Sequence, residues 1–220
     1  VWQQACDVGD MEGRHYNQVA AGDVGRIAAL SDGIFAFAAT VLVLDIHTPE
    51  NLDIHTEGQL LTSLAALTPR LLTWLLSLMT LGIFWVGQQT QLNYIQRADR
   101  NLSWLHLVFL AVITVLPFST RLLADYFTFR TAFLIYWANI FFAGASVYAT
   151  WAYAERAKLI RNDAPTEIYR AVRGRIVVAQ TLYAVGALLG LVYAPLGIFL
   201  IIAIQLNYAI APRLPILSRL

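Results

Sequence analysis

The sequence predicts an all-α integral membrane protein with six transmembrane helices, and three observations predict it. Of 220 residues, 58% are hydrophobic and only 13% are charged, with a mean hydropathy of +0.59. A soluble domain carries about 25% charged and about 45–50% apolar residues. Several apolar runs approach the roughly 18–20 residues that a bilayer-spanning helix needs. Arginine and lysine concentrate in alternate connectors, the pattern of a multi-pass protein. The net charge of +1 gives no basic surface for nucleic acid. The single cysteine, Cys6, excludes an intrachain disulfide framework and a multi-cysteine zinc site.

Residues 1–25 are polar, with no run that reads as a secretory signal or a span, and are expected to form a cytoplasmic tail. Met11 is a candidate internal start, which leaves the ten residues before it open as an upstream extension. The six-helix domain is expected over 26–211. Its first span is RIAALSDGIFAFAATVLVLDIH (26–47), followed by a polar loop, TPENLDIHTEG. The second span opens on Pro69, a favourable first-turn residue, and runs to Gln89. The short connector QRADR leads to the third span, 101–124, in which Pro117 is expected to bend or stop the helix. The fourth covers 131–153 and is rich in aromatic residues. The charged connector ERAKLIRNDAPTEIYRAVRGR precedes the fifth and sixth spans, 174–193 and 195–211, which Ala194-Pro195 separates. Pro212 and Pro215 break any helix in the remaining residues, so 212–220 is expected to be a short cytoplasmic tail.

Orientation follows from the basic residues. With the N-terminus cytoplasmic, the inner side holds Arg14, Arg26, Arg97, Arg100, Arg156, Lys158, Arg161, Arg170, Arg173, Arg175, Arg213 and Arg219, and the outer side holds Arg70, Arg121 and Arg130. Twelve against three places both termini inside a cell membrane.

The first helix carries the functional signal. An acid within a span costs roughly 2.5–3.5 kcal/mol on insertion scales, so Asp32 needs a reason. On a wheel of about 100° per residue, Leu30, Phe37, Val41 and Leu44 fall within about 40° of Phe37, with Gly33 and Ile34 flanking. Asp32 lies about 220° round from Phe37, Ser31 about 120° and Thr40 about 300°. Asp32 is therefore expected to point away from the apolar stripe, towards polar groups of neighbouring helices. Taken alone, an apolar stripe on a membrane helix more often faces lipid or core than a pore.

This helix resembles the signature of the endolysosomal potassium channel family and its bacterial relatives. The signature is an Arg, an aromatic-Ser-Asp triplet, and small and apolar residues leading to a Thr and a Leu-rich end. Here it reads Arg26, then Leu30-Ser31-Asp32-Gly33, then Phe37, Thr40, Val41 and Leu44, with Leu30 in place of the usual Phe. The resemblance continues in IFWVGQQ and WLHLVFLAVITVLPFST, and covers roughly residues 26–125. The family's His after the Trp falls on Gln88 or Gln89, and its Asn after the Trp-Leu pair on His106. The resemblance implies a homotetramer whose first helices line a central cation pore that potassium permeates, without a cofactor and without a TVGYG filter. Carried over by position, Phe37, Val41 and Leu44 form the constriction and gate, with Thr40 beside them as a possible selectivity residue. Arg26, Ser31, Asp32, Gln88, Gln89 and His106 would form the supporting polar network.

Other features carry less. His47, Glu50, Asp53, His55 and Glu57 crowd the first outer loop, but their spacing matches no metal motif and a solvated loop is favoured. Gly186 and Gly190 form a GxxxG pair suited to close helix packing. Asn101-Leu-Ser103 fits a glycosylation sequon but reads better as a helix start on the inner side. The inner connector around Arg156–Arg175 is expected to meet anionic membrane lipids. The competing function is a proton-coupled secondary cation transporter working through Asp32. The chain holds no HExxH, no GxSxG and no paired intramembrane aspartates, so an enzyme is not expected.

Overall fold

A computed structural model describes residues 23–47 and 54–210. Among the described residues, seven helices follow one another: α1 (Val24–Leu44), α2 (Glu57–Ala65), α3 (Thr68–Tyr94), α4 (Arg100–Asp125), α5 (Arg130–Arg156), α6 (Thr166–Val192) and α7 (Ala194–Ile210). Among the described residues, five of them, α1 and α3 to α6, are long and apolar enough to cross a bilayer, and α7 is a shorter apolar helix. Of the expected tails, residues 1–22 and 212–220 lie outside the described residues, while Val24 and Gly25 belong to α1.

Local chemistry sets the helix boundaries. Asp23 caps α1 by accepting from the Gly25 amide at 2.8 Å, and Asp99 caps α4 by accepting from Leu102 at 2.8 Å. The polar stretch TPENLDIHTEG, expected to be a loop, runs into α2 from Glu57. Thr56 and Gln59 close a reciprocal capping box there, with the Thr56 hydroxyl on the Gln59 amide and the Gln59 carboxamide on the Thr56 amide. That Thr-x-x-Gln spacing is the sequence signal for α2, and a helix of nine residues is too short to register as a periodic run. Pro117 does not stop α4, which continues to Asp125. A missing amide leaves one carbonyl unbonded, and neighbouring helices and hydroxyls make this tolerable inside membrane helices. Ser119 and Thr120 both donate to the Leu116 carbonyl in the same turn.

α4 packs on α1, α3 and α5, and a core of Phe35, Phe109, Ile113, Leu116, Phe133 and Ile140 fills the space between these helices. A second cluster, around Leu92, Ile95, Leu102, Trp151 and Ile160, closes one end. There the connectors after α3 and α5 pair backbone to backbone: Gln96 donates to Leu159 and Arg161 to Tyr94, both at 2.9 Å. The Arg-rich connectors therefore share one end of the bundle, as alternating spans require. The opposite end gathers Arg70, Arg121, Asp45 and Asp125, with Arg70 and Asp125 3.0 Å apart.

The GxxxG pair of α6 does bring two helices together. Gly197 of α7 sits against it so closely that a Cβ there would lie 2.8 Å from the Gly186 carbonyl oxygen and 2.8 Å from the Gly190 Cα. Both obstacles are backbone, so no rotamer change relieves them. Gly197→Ala is expected to destabilise the protein by about 1–3 kcal/mol, read as a lower thermal midpoint in detergent. An unchanged midpoint would contradict this packing.

Candidate functional site: the open face of α1 and the polar cluster behind it

One side of α1 is sealed into the subunit. Ser31, Phe35, Ala38 and Leu42 recur at helical spacing, are buried, and pack towards α3 and α4. The opposite side is left open by the chain's own helices. Phe37 and Leu44 are each 69% exposed, Leu30 is 47% exposed, and Gly33, Ala36 and Thr40 are exposed between them. The middle of this open face lies at Thr40, directly across the helix from Ser31, because the two are nine residues apart and differ by about 180° on the wheel. Thr40 was expected beside the stripe and Val41 within it. The structure places Thr40 centrally and Val41, half-buried, on the rim that turns towards the core. The Thr40 hydroxyl donates to the Phe37 carbonyl at 2.7 Å, which leaves its oxygen lone pairs available on the open side.

Ser31 anchors the sealed side. Its Oγ lies 2.7 Å from His106 Nε2 on α4 and accepts from Gln88 Nε2 on α3 at 3.0 Å, while Gln88 Nε2 and His106 Nε2 are 3.2 Å apart. All three side chains are buried. Three helices are thus tied together at one point, and the rotation of α1 is fixed relative to α3 and α4. Of the two glutamines on which the family's His could fall, Gln88 is the one in this cluster.

Asp32 occupies the other rim of the open face. It is exposed, and its carboxylate meets polar groups of the neighbouring helix: Oδ1 accepts from Trp85 Nε1 and from Gln89 Nε2, each at 2.8 Å. The two adjacent polar residues of α1 therefore hold α3 through separate partners, one pair inside and one at the rim. Arg26 is exposed at the start of α1 and does not join either set. Of the acidic and histidine residues of the first loop, Glu50 and Asp53 lie outside the described residues, and among the described residues no three metal-binding side chains come together.

A second buried polar network has no counterpart in the sequence reading. Ser77 lies 2.6 Å from Thr120 and donates to the Tyr136 hydroxyl at 3.2 Å; Thr80 lies 3.0 Å from that same hydroxyl and accepts from Gln205 at 2.6 Å. It joins α3, α4, α5 and α7. Its only sequence signal is the three-residue spacing of Ser77 and Thr80, which puts both on one face of α3.

The sequence model described as endosomal/lysosomal potassium channel TMEM175 matches residues 26–117, which contain the whole open face of α1 and every member of the Ser31 and Asp32 sets. A potassium channel of Chamaesiphon minutus is 33% identical over 194 residues, 83% of this chain and 92% of the relative. The chain belongs to the TMEM175 family. A potassium channel of Streptomyces collinus is 32% identical to this TMEM175 family member over 179 residues, 84% of the relative. The crystal structure of a lysosomal potassium-selective channel TMEM175 homolog from Chamaesiphon minutus superposes with a TM-score of 0.73 at 26% identity, covering 86% of this chain and 98% of that one. The likeness of fold therefore extends past the stretch that the TMEM175 sequence model matches. The TMEM175 family is one of ion channels and not of enzymes.

Proposed function

We propose that the protein is a potassium-preferring cation channel, conducting passively through a central pore around which four copies place their α1 helices. The observation that carries this reading is the open face of α1. A membrane-length helix is held to its own subunit by a polar anchor at Ser31, and it turns away from that subunit a face of Leu30, Phe37, Thr40 and Leu44. The family relationship and the relatives named potassium channels support the choice of ion. The fourfold assembly is what the family resemblance implies. In this reading α7 is the sixth span, the Arg-rich end is cytoplasmic, and both termini lie there in the cell membrane.

The mechanism follows from what the face presents. Rings of Phe37 and Leu44, with Val41 at the rim, make an apolar neck in which an ion sheds hydration without gaining ligands, so the neck gates by dewetting. Thr40 supplies hydroxyl oxygens on the same face, between the Phe37 and Leu44 rings, where partial coordination favours an ion that dehydrates easily. Thr40→Val, which keeps the shape and removes the oxygen, is expected to lower the potassium-over-sodium preference several-fold while flux persists. Reversal potentials in bi-ionic solutions read this, and an unchanged preference would exclude Thr40 from selectivity.

The test of the function itself is ion flux into proteoliposomes. Potassium is expected to enter down its gradient faster than sodium and without stoichiometric proton movement, and chemical cross-linking is expected to trap four chains. Proton movement in fixed ratio to potassium would establish the coupled transporter instead.

A further inference from the structure

A cavity of about 540 Å³ runs between α3, α5 and α6, with Trp85, the partner of Asp32, on its wall. We propose that this groove seats an acyl chain of an anionic phospholipid of the Arg-rich leaflet, with the lipid phosphate held at Arg175. Its walls are mostly apolar, formed by residues such as Ile83, Val86, Val147 and Ile176 with Gln91 and Gln180 among them, and it is open along one side. On α3 it extends from Met79 to Gln91, about 18 Å of helix. That is close to half of the roughly 30 Å hydrocarbon core, the depth of one leaflet.

The polarity of the groove runs in the same sense. Arg175, nine residues into α6, and Tyr208, near the end of α7, line the groove on the side of the Arg-rich connector between α5 and α6. Arg175 is 17 residues from the far end of α6 at Val192, about 26 Å along the axis, which puts it at headgroup level when that far end meets the opposite boundary. Its neighbour Arg173 is bound to Glu155 at 2.6 Å, whereas Arg175 has no ion pair among the described residues. An arginine without a carboxylate at the mouth of an apolar slot is complementary to a phosphate that carries its own tail. Two glycines keep the slot open. A Cβ added at Gly82 or at Gly87 would meet nothing within 4 Å, so a larger side chain there enters the groove and not the core. The inference needs only that these helices cross a bilayer, and stands or falls separately from the pore.

The experiment titrates delipidated protein with phosphatidylglycerol and, separately, phosphatidylcholine, and counts bound lipid by native mass spectrometry. The native chain is expected to hold one phosphatidylglycerol per copy, at least tenfold more tightly than phosphatidylcholine. Gly82→Phe and Gly87→Leu are each expected to weaken both lipids at least tenfold. Arg175→Gln should bring phosphatidylglycerol down to the level of phosphatidylcholine, and Arg161→Gln, a basic residue of the connector outside the groove, should change neither. Unchanged binding in both glycine variants would overturn the proposal. So would an equal loss in Arg161→Gln, which would show diffuse attraction to the basic surface. Dissociation of the assembly by both glycine variants, with phosphatidylglycerol retained, would also overturn it and assign the groove to a second copy of the chain.

Discussion

Phe37→Ala is expected to raise potassium flux in proteoliposomes by at least about tenfold, which corresponds to about 1.4 kcal/mol removed from the barrier. The side chain is 69% exposed on the open face of α1, so in the proposed pore its ring adds to the neck and little to the subunit's own core. Replacing it widens the passage by a phenyl ring on each copy and lets water, and hence hydrated ions, stay in the neck. Because exposed truncations usually stay within about 0.5 kcal/mol of the parent stability, the flux change is separable from any folding defect. Phe35, two residues away and buried against Phe109 and the core, provides the contrast. Phe35→Ala should cost about 3–5 kcal/mol of stability and reduce the yield of folded protein without opening a conduction path. Val41→Ala, on the rim, should raise flux less than Phe37→Ala. If Phe37→Ala leaves flux at the native level, the open face of α1 is not the neck of a pore.

The sequence made the helices legible because hydropathy and length act locally, and the spans at α3 to α6 need no knowledge of their partners. It also showed that Ser31 and Asp32 require polar company, since each carries its cost wherever the helix goes. Three things were beyond it. The wheel could order the residues of α1 by angle but could not say which arc the neighbours cover, and so it centred the face on Phe37 when the uncovered arc is centred on Thr40. Covering is a property of α3 and α4, whose buried faces are set by contacts distant in sequence. The choice between Gln88 and Gln89 was equally nonlocal, because adjacent helical residues diverge by about 100° and only the position of α4 decides which meets His106. The network of Ser77, Thr80, Thr120, Tyr136 and Gln205 assembles from four helices, and no pair within it is close in sequence apart from the first two.

Ser31→Ala is expected to lower stability by about 1–3 kcal/mol, because it removes the oxygen on which Gln88 and His106 both converge and leaves their buried polar groups short of a partner. A double-mutant cycle with His106→Leu should give a coupling of about 0.6–2 kcal/mol, the range for hydrogen bonds between membrane helices. Thermal unfolding in detergent reads both, and additive losses would show that the 2.7 Å contact carries no energy. Flux should fall together with stability, since Ser31 fixes the rotation of α1 and thereby the direction in which Phe37 and Thr40 face. Asp32 separates the channel reading from the coupled one. Asp32→Asn keeps an oxygen that accepts from Trp85 and Gln89 but cannot exchange a proton at neutral pH. If Asp32 only holds α1 against α3, Asp32→Asn should conduct within about twofold of the native chain, whereas Asp32→Ala, which loses both bonds, should lower the stability of the subunit by about 1–3 kcal/mol. Loss of potassium movement in Asp32→Asn with stability unchanged would mean that the ionisable carboxylate itself is needed, and the structural role assigned to it would have to be given up.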